Sequence, residues 1–196
     1  GGFLGSMAMA AEEAKKEGVF CPSQFANPEN VNAHRETTGP EIRDTLSDAG
    51  LIADVFVAGA GTGGTIMGVT AYLKTQNLNL KSRPVFPMNH EENGGIEGIG
   101  DSFVPEILKL NALHDEIRVD DEDAIVIAQM LNQKGLSVGI SSGANIWASL
   151  SIDDLKRKTV VTILCDSAMK YLTTDLCKPA KKSIDNIKFV GFDRIN

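Results

Sequence analysis

Three short stretches of this sequence combine small, polar and acidic residues in ways that could do chemistry. The densest is AGAGTGGTIMG at 58–68, with five glycines and two threonines in eleven residues. It follows the apolar run DVFVA at 54–58 and leads into helical periodicity through Ile66, Val69 and Leu73. A strand that enters a helix through glycines exposes backbone N–H groups at the positive end of the helix dipole, which is where a phosphate binds at least cost. Thr62 and Thr65 add hydroxyl donors. The other stretches are GISSGAN at 139–145 and Asp166 with Ser167, and each follows a candidate strand.

Several phosphate chemistries compete for the first stretch. GAGTGG at 59–64 matches the dinucleotide pattern GxGxxG, but that site also needs an acidic residue at the end of the next strand, and PVF at 84–86 runs into Pro87, Met88 and Asn89. A nucleotide P-loop closes with Gly-Lys-Ser/Thr, and that tripeptide occurs nowhere in the chain. A bare strand-to-helix turn would need fewer glycines. A cofactor with a single phosphate remains.

The elements that must position these residues are legible as alternating patterns. Leu4, Met7, Ala8, Ala11 and Ala14 predict a first helix over 4–16, stopped at Gly18. Asn27-Pro28-Glu29 and Thr38-Gly39-Pro40-Glu41 each read as a helix start, the second leading to a stop at Gly50. Strands are predicted at 54–58, 84–86, 116–119, 136–138 and 159–164, with IKFVGF near the end as a short edge strand. Helices follow the glycine turn (65–74), start at a cap on Asp120 or Asp121 (to Gln133), and open at Ser141 or Ser142 (to Leu150). Strands alternating with helices predict an α/β fold, a doubly wound, mostly parallel sheet with helices on both faces. In such a sheet ligands bind outside the carboxyl ends of the strands, so the three polar loops are expected to converge.

Composition narrows the function classes. The chain has 196 residues, 42% of them hydrophobic, enough for one domain with a sizeable core. A net charge of −7 without a basic face argues against a nucleic-acid partner. No apolar run is long enough to cross a bilayer and no secretory leader is evident, so no membrane and a cytoplasmic location are expected. Cys21, Cys165 and Cys177 form neither an even set nor a CxxC pair, and they read as buried or inert thiols. His34, His90 and His114 lack metal-ligand spacing and read as surface or helix residues, and no metal is expected. Trp147 reads as core or interface packing, and Lys170 as a solvated helix position.

GTGGTIMG at 61–68 resembles the phosphate loop of the fold type II pyridoxal-phosphate enzymes, in the branch that contains cysteine synthase (O-acetylserine sulfhydrylase) and cystathionine β-synthase. PSQFANPENVNAHRETTGPEI at 22–42, IEGIGDSFVPEIL at 96–108, VDDEDAI at 119–125, GISSGAN at 139–145 and DSAMKYLTTDL at 166–176 stand in the order that family has them. The resemblance implies pyridoxal 5'-phosphate as cofactor, held at its phosphate by Gly61, Thr62, Gly63, Gly64 and Thr65. It implies Ser141 facing the pyridine nitrogen, Asp166 and Ser167 in the loop that approaches the ring, and Gln24 and Gly98 on the substrate side. Read as isolated residues, Ser141 or Ser142 would be helix caps, Asp166 another cap, and Gln24 a surface residue before a turn.

The implied reaction is β-replacement, forming L-cysteine from O-acetylserine or a similar activated serine and sulfide, in a homodimer acting on a small amino-acid substrate. Two other classes stay open: an elimination enzyme of the threonine or serine dehydratase kind, and a non-catalytic binding or scaffolding chain. The family carries its cofactor on a Schiff-base lysine within a segment like Ser-x-Lys-Asp-Arg, and these 196 residues contain none. No catalytic residue is therefore assigned, and activity of the chain alone is not expected. The resemblance divides the chain into a helix left from an N-terminal domain (1–18), the cofactor-phosphate domain (19–177) and a tail (178–196), a truncated form of the whole. Cys165 stands where the family commonly has proline, and the segment 84–100 is shorter than the family's.

Overall fold

The computed structural model describes residues 2–88, 96 and 103–179. The predicted edge strand IKFVGF, Gly98 and His90 lie outside the described residues. Six α-helices and four strands are described, in the order α1 (Gly2–Glu13), α2 (Glu29–Glu36), α3 (Thr38–Asp48), β1 (Val55–Gly59), α4 (Gly64–Leu73), β2 (Lys81–Pro87), β3 (Ile117–Val119), α5 (Asp121–Gln133), α6 (Ile140–Leu150) and β4 (Val160–Thr162). The strands form one parallel sheet of order β3-β2-β1-β4. The chain therefore builds outward from β1 through β2 to β3 and then crosses back to place β4 on the other side of β1. That reversal of direction creates a crevice at the carboxyl edge between β1 and β4.

Both faces of the sheet are covered, as the apolar runs require. Side chains alternate along β1: Val55 and Val57 join Val85, Ile117, Ala144 and Ala148 in a core under α5 and α6. Phe56 and Ala58 face the other way, into a core with Ile66, Val69, Leu73 and Leu80 under α3 and α4. Phe56, Val57, Ile66, Val69 and Val85 are all fully buried. At about 25 cal/mol per Å² of apolar surface, each such side chain contributes roughly 1.5–3 kcal/mol, so these two layers hold the loops in place.

Two expectations are corrected. Residues 136–138 form no strand. The Asn132 side chain, at the end of α5, accepts from the Val138 N–H (3.1 Å) and donates to the Val138 carbonyl (3.1 Å), so it satisfies the groups a neighbouring strand would otherwise pair. The first helix, expected over 4–16, runs from Gly2 to Glu13, with Ala8 and Ala11 exposed and Met7 partly buried. Asp120 does cap α5, its carboxylate accepting from the Glu122 N–H at 2.9 Å.

Candidate cofactor site

The glycine turn sits where β1 ends and α4 begins. Gly63 precedes the first helical residue with φ +92°, a conformation an L side chain adopts only under strain, and a Cβ there would meet the Leu108 side chain at 2.8 Å. Gly64 faces α2 so closely that a Cβ would collide with the Asn30 amide. Gly63 and Gly64 are buried, while Gly61, Thr62 and Thr65 are partly exposed, so the turn meets solvent through those three residues.

Both threonine hydroxyls are tied to α2. Thr62 Oγ1 accepts from Asn30 Nδ2 at 3.0 Å and from the Gly64 N–H at 3.3 Å, while Asn30 Nδ2 also donates to the Gln24 carbonyl at 2.8 Å. Thr65 Oγ1 lies 3.1 Å from His34 Nε2, and the other ring nitrogen of His34 lies 3.0 Å from Thr38 Oγ1. Burial lowers the pKa of His34 from its ordinary 6.5, which favours the neutral ring. His34 is thus a partner of the turn and not merely a helix residue. The sequence pattern held no local sign of this, because the contact spans 31 residues. Gln24 is exposed and approaches the turn through its backbone.

The second and third polar stretches meet beside β4. Ser141 and Ser142 lie in the first turn of α6, which starts at Ile140 after Gly139. Neither hydroxyl caps that helix. Ser142, fully buried, donates to the Cys165 carbonyl and accepts from the Cys165 N–H, both at 2.6 Å, so it locks the chain leaving β4 onto α6. Burial, and then the neighbouring Asp166 carboxylate, push the Cys165 thiol up, while a hydrogen bond with Ser141 pulls it the other way. That hydrogen bond brings Ser141 to the same loop.

Asp166 has φ +60°, a left-handed residue without glycine's freedom. Its carboxylate accepts from Lys170 Nζ at 2.5 Å and from the Tyr171 hydroxyl at 2.7 Å. These hydrogen bonds, Lys170's first, lower its pKa below the ordinary 3.8. Ser167 caps the short 3₁₀ turn Ala168–Tyr171 and lies 3.2 Å from the Ser137 hydroxyl. Trp147 packs half-buried against the α5 side of the core. Because Val57 of β1 pairs with Thr162 of β4, the glycine turn and the Cys165–Ser167 loop leave adjacent strands at the same edge.

The turn fits a phosphate monoester. With the Gly64 N–H bound to Thr62, the Thr65 and Ile66 N–H groups have no intrahelical acceptor by the geometry of a helix start, and two hydroxyls flank them. No cationic side chain is needed for such a site when backbone dipoles supply the positive field.

The family model described as pyridoxal-phosphate dependent enzyme matches residues 1–166. This chain belongs to that family. Over 165 residues it is 44% identical to the cysteine synthase B of Campylobacter jejuni, a match that covers 80% of this chain and 54% of the relative. A cysteine synthase of Staphylococcus aureus (strain Mu50) is 35% identical over 182 residues, covering 88% of this chain and 58% of the relative. Among solved structures, a hydrogen sulfide-producing enzyme from Fusobacterium nucleatum superposes with a TM-score of 0.88 at 42% identity, covering 93% of this chain and 58% of that one. The O-acetyl serine sulfhydrylase isoform 3 of Entamoeba histolytica gives a TM-score of 0.80 at 32% identity, covering 92% and 57%. The chain spans a little over half the length of the curated relatives it matches. No described helix is long and apolar enough to cross a membrane. Among the described residues, no group of three or more His, Cys, Asp or Glu could hold a metal ion.

Proposed function

We propose that this chain is the phosphate-binding part of an enzyme that makes L-cysteine by β-replacement on O-acetylserine, or a similar activated serine, with sulfide. The observation that carries the reading is the turn Gly61–Thr65 at the entrance of α4, where Gly61, Thr62 and Thr65 are partly exposed and two hydroxyls flank the Thr65 and Ile66 N–H groups, at the edge where β1 and β4 end. The likeness to enzymes named cysteine synthase supports the choice of product.

In this reading Gly61, Thr62, Gly63, Gly64 and Thr65 hold the cofactor phosphate through N–H and hydroxyl donors. Bound pyridoxal phosphate supplies an electron sink for the amino acid's α-carbon. Ser141 is a neutral partner for the ring nitrogen and does not hold a proton there as a carboxylate would, which suits loss and addition of a group at the β-carbon. The loop of Asp166 and Ser167 borders the ring, and Ser142 keeps that loop against α6. Gln24 and Gly98 border the substrate. Asp166, paired with Lys170 and Tyr171, keeps its own charge, and burial first and then that charge hold the Cys165 thiol in its protonated, inert form.

The same reading takes residues 1–18 as a helix of a preceding domain, 19–177 as the cofactor-phosphate domain and 178–196 as a tail of a cytoplasmic homodimer. Sedimentation at the mass of one chain would argue against the dimer. The assay is formation of L-cysteine from O-acetylserine and sulfide with added pyridoxal phosphate, by a form that carries a Schiff-base lysine segment. Keto acid and ammonia in place of cysteine would overturn the β-replacement reading.

A further inference from the structure

The hydrogen bonds around Thr62 restrict where its proton can go. A threonine hydroxyl has one proton to donate and two lone pairs that accept. Here both lone pairs are taken, one by the Asn30 amide at 3.0 Å and one by the Gly64 N–H at 3.3 Å. Its proton has no acceptor among the described residues, so the hydroxyl enters the turn as a donor. Asn30 cannot be turned around to accept from Thr62, because the same Nδ2 donates to the Gln24 carbonyl at 2.8 Å. The flip that would offer its oxygen to Thr62 would set two oxygens against each other.

Thr65 is arranged in parallel, through a switchable partner. His34 has one ring nitrogen on Thr65 and the other on Thr38, and its burial favours the neutral ring. If Nε2 carries the proton it donates to Thr65, Nδ1 accepts from Thr38, and the Thr65 proton is left for a ligand. With the opposite tautomer the Thr65 proton is consumed by the ring. An anion in the turn favours the first arrangement. The packing of α2 on α4 is close enough to hold these contacts: on the face of α4 that carries Gly64, one turn on, a Cβ at Gly68 would meet His34 Cβ at 2.7 Å.

We propose that Asn30 and His34 are positioning residues of the phosphate turn, which commit the hydroxyl protons of Thr62 and Thr65 to the phosphate without touching it themselves. This rests on the phosphate reading of the turn. It gives a reason why a turn with no cationic side chain beside it among the described residues can bind an anion: the donors are orientated before the anion arrives, so less reorganisation accompanies binding.

The test is the affinity of the full chain for pyridoxal 5'-phosphate and for inorganic phosphate, measured by calorimetry in a double-mutant cycle. Asn30→Asp replaces the amide donor by an acceptor that claims the Thr62 proton. It is expected to weaken both ligands on the order of ten- to a hundredfold, the range for one lost hydrogen bond to a charged group. In a Thr62→Val background the same change should cost less, leaving only the repulsion between the new carboxylate and the anion, because the hydroxyl it acts through is gone. For His34, nitrogen-15 shifts of the imidazole should show Nε2 as the protonated nitrogen in the phosphate complex. Equal losses from Asn30→Asp with and without Thr62 would overturn the proposal, as would an Nδ1-protonated ring in the complex. A wild-type chain that binds neither ligand would instead sink the phosphate reading itself, so the two failures are distinct.

Discussion

Two turns leave the same edge of the sheet, and they are held by opposite means. The turn Gly61–Thr65 reaches its left-handed residue with a glycine, and neutral amide, hydroxyl and imidazole groups brace it from α2. The loop Cys165–Ser167 reaches its left-handed residue with Asp166, and an ion pair to Lys170 and the hydroxyl of Tyr171 hold it there. A glycine makes the conformation free of side-chain strain; an aspartate there costs about 1–2 kcal/mol, which its contacts must offset. The difference teaches how the two turns divide their work. On the proposed reading, the turn that grips an anion carries no side chain in the way and no competing acidic group, whereas the neighbouring loop uses its charge to hold its own shape.

The largest effect that would break the comparison is expected at Gly63. Gly63→Ala combines left-handed strain with the contact to Leu108, and should lower unfolding stability by about 2–4 kcal/mol and abolish phosphate binding. Gly135 has a similar φ of +91° but open space at the Cβ position, so Gly135→Ala should cost only about 1 kcal/mol. Equal denaturation midpoints for the two variants would show that crowding at the turn is not what matters. Next comes Ser142→Ala, which removes both bonds to the Cys165 backbone and should cost about 1–3 kcal/mol by urea melting.

The smallest effect is the pH response, which separates the turns by their titrating groups. His34 resists its proton in the folded state, so the unfolded chain binds more protons below pH 6.5 and stability falls as pH drops through that window. Asp166 has a lowered pKa, so its contribution is present above pH 3.8 and is lost as pH falls further through its folded value. Thermal melts against pH should show the first loss vanish in His34→Gln and the second in Asp166→Asn. A profile in which either variant leaves both losses in place would remove the distinction between a neutral and an ionic brace.

Much of the fold was legible because its signals are local. The apolar runs at β1 and β2 name buried strands, the glycines name the turn, and the pair Asp120-Asp121 names the start of α5, capped by Asp120. The strand expected at 136–138 failed for a reason no periodicity reveals, since a single Asn132 side chain supplies the hydrogen bonds of an absent neighbour. His34 and Asn30 escaped because their partners lie 31 and 32 residues away in the chain.

By itself the sequence determined the order of the strands and helices, apart from the strand expected at 136–138, and the existence of a donor-rich helix entrance, because periodicity and glycine content act over a few residues. Only the tertiary structure decided that β4 returns beside β1, so that the loops of Thr62 and Asp166 share one edge. It alone decided which protons the turn has left to give, because that depends on the packing of α2 against α4, a contact set by burial between distant segments.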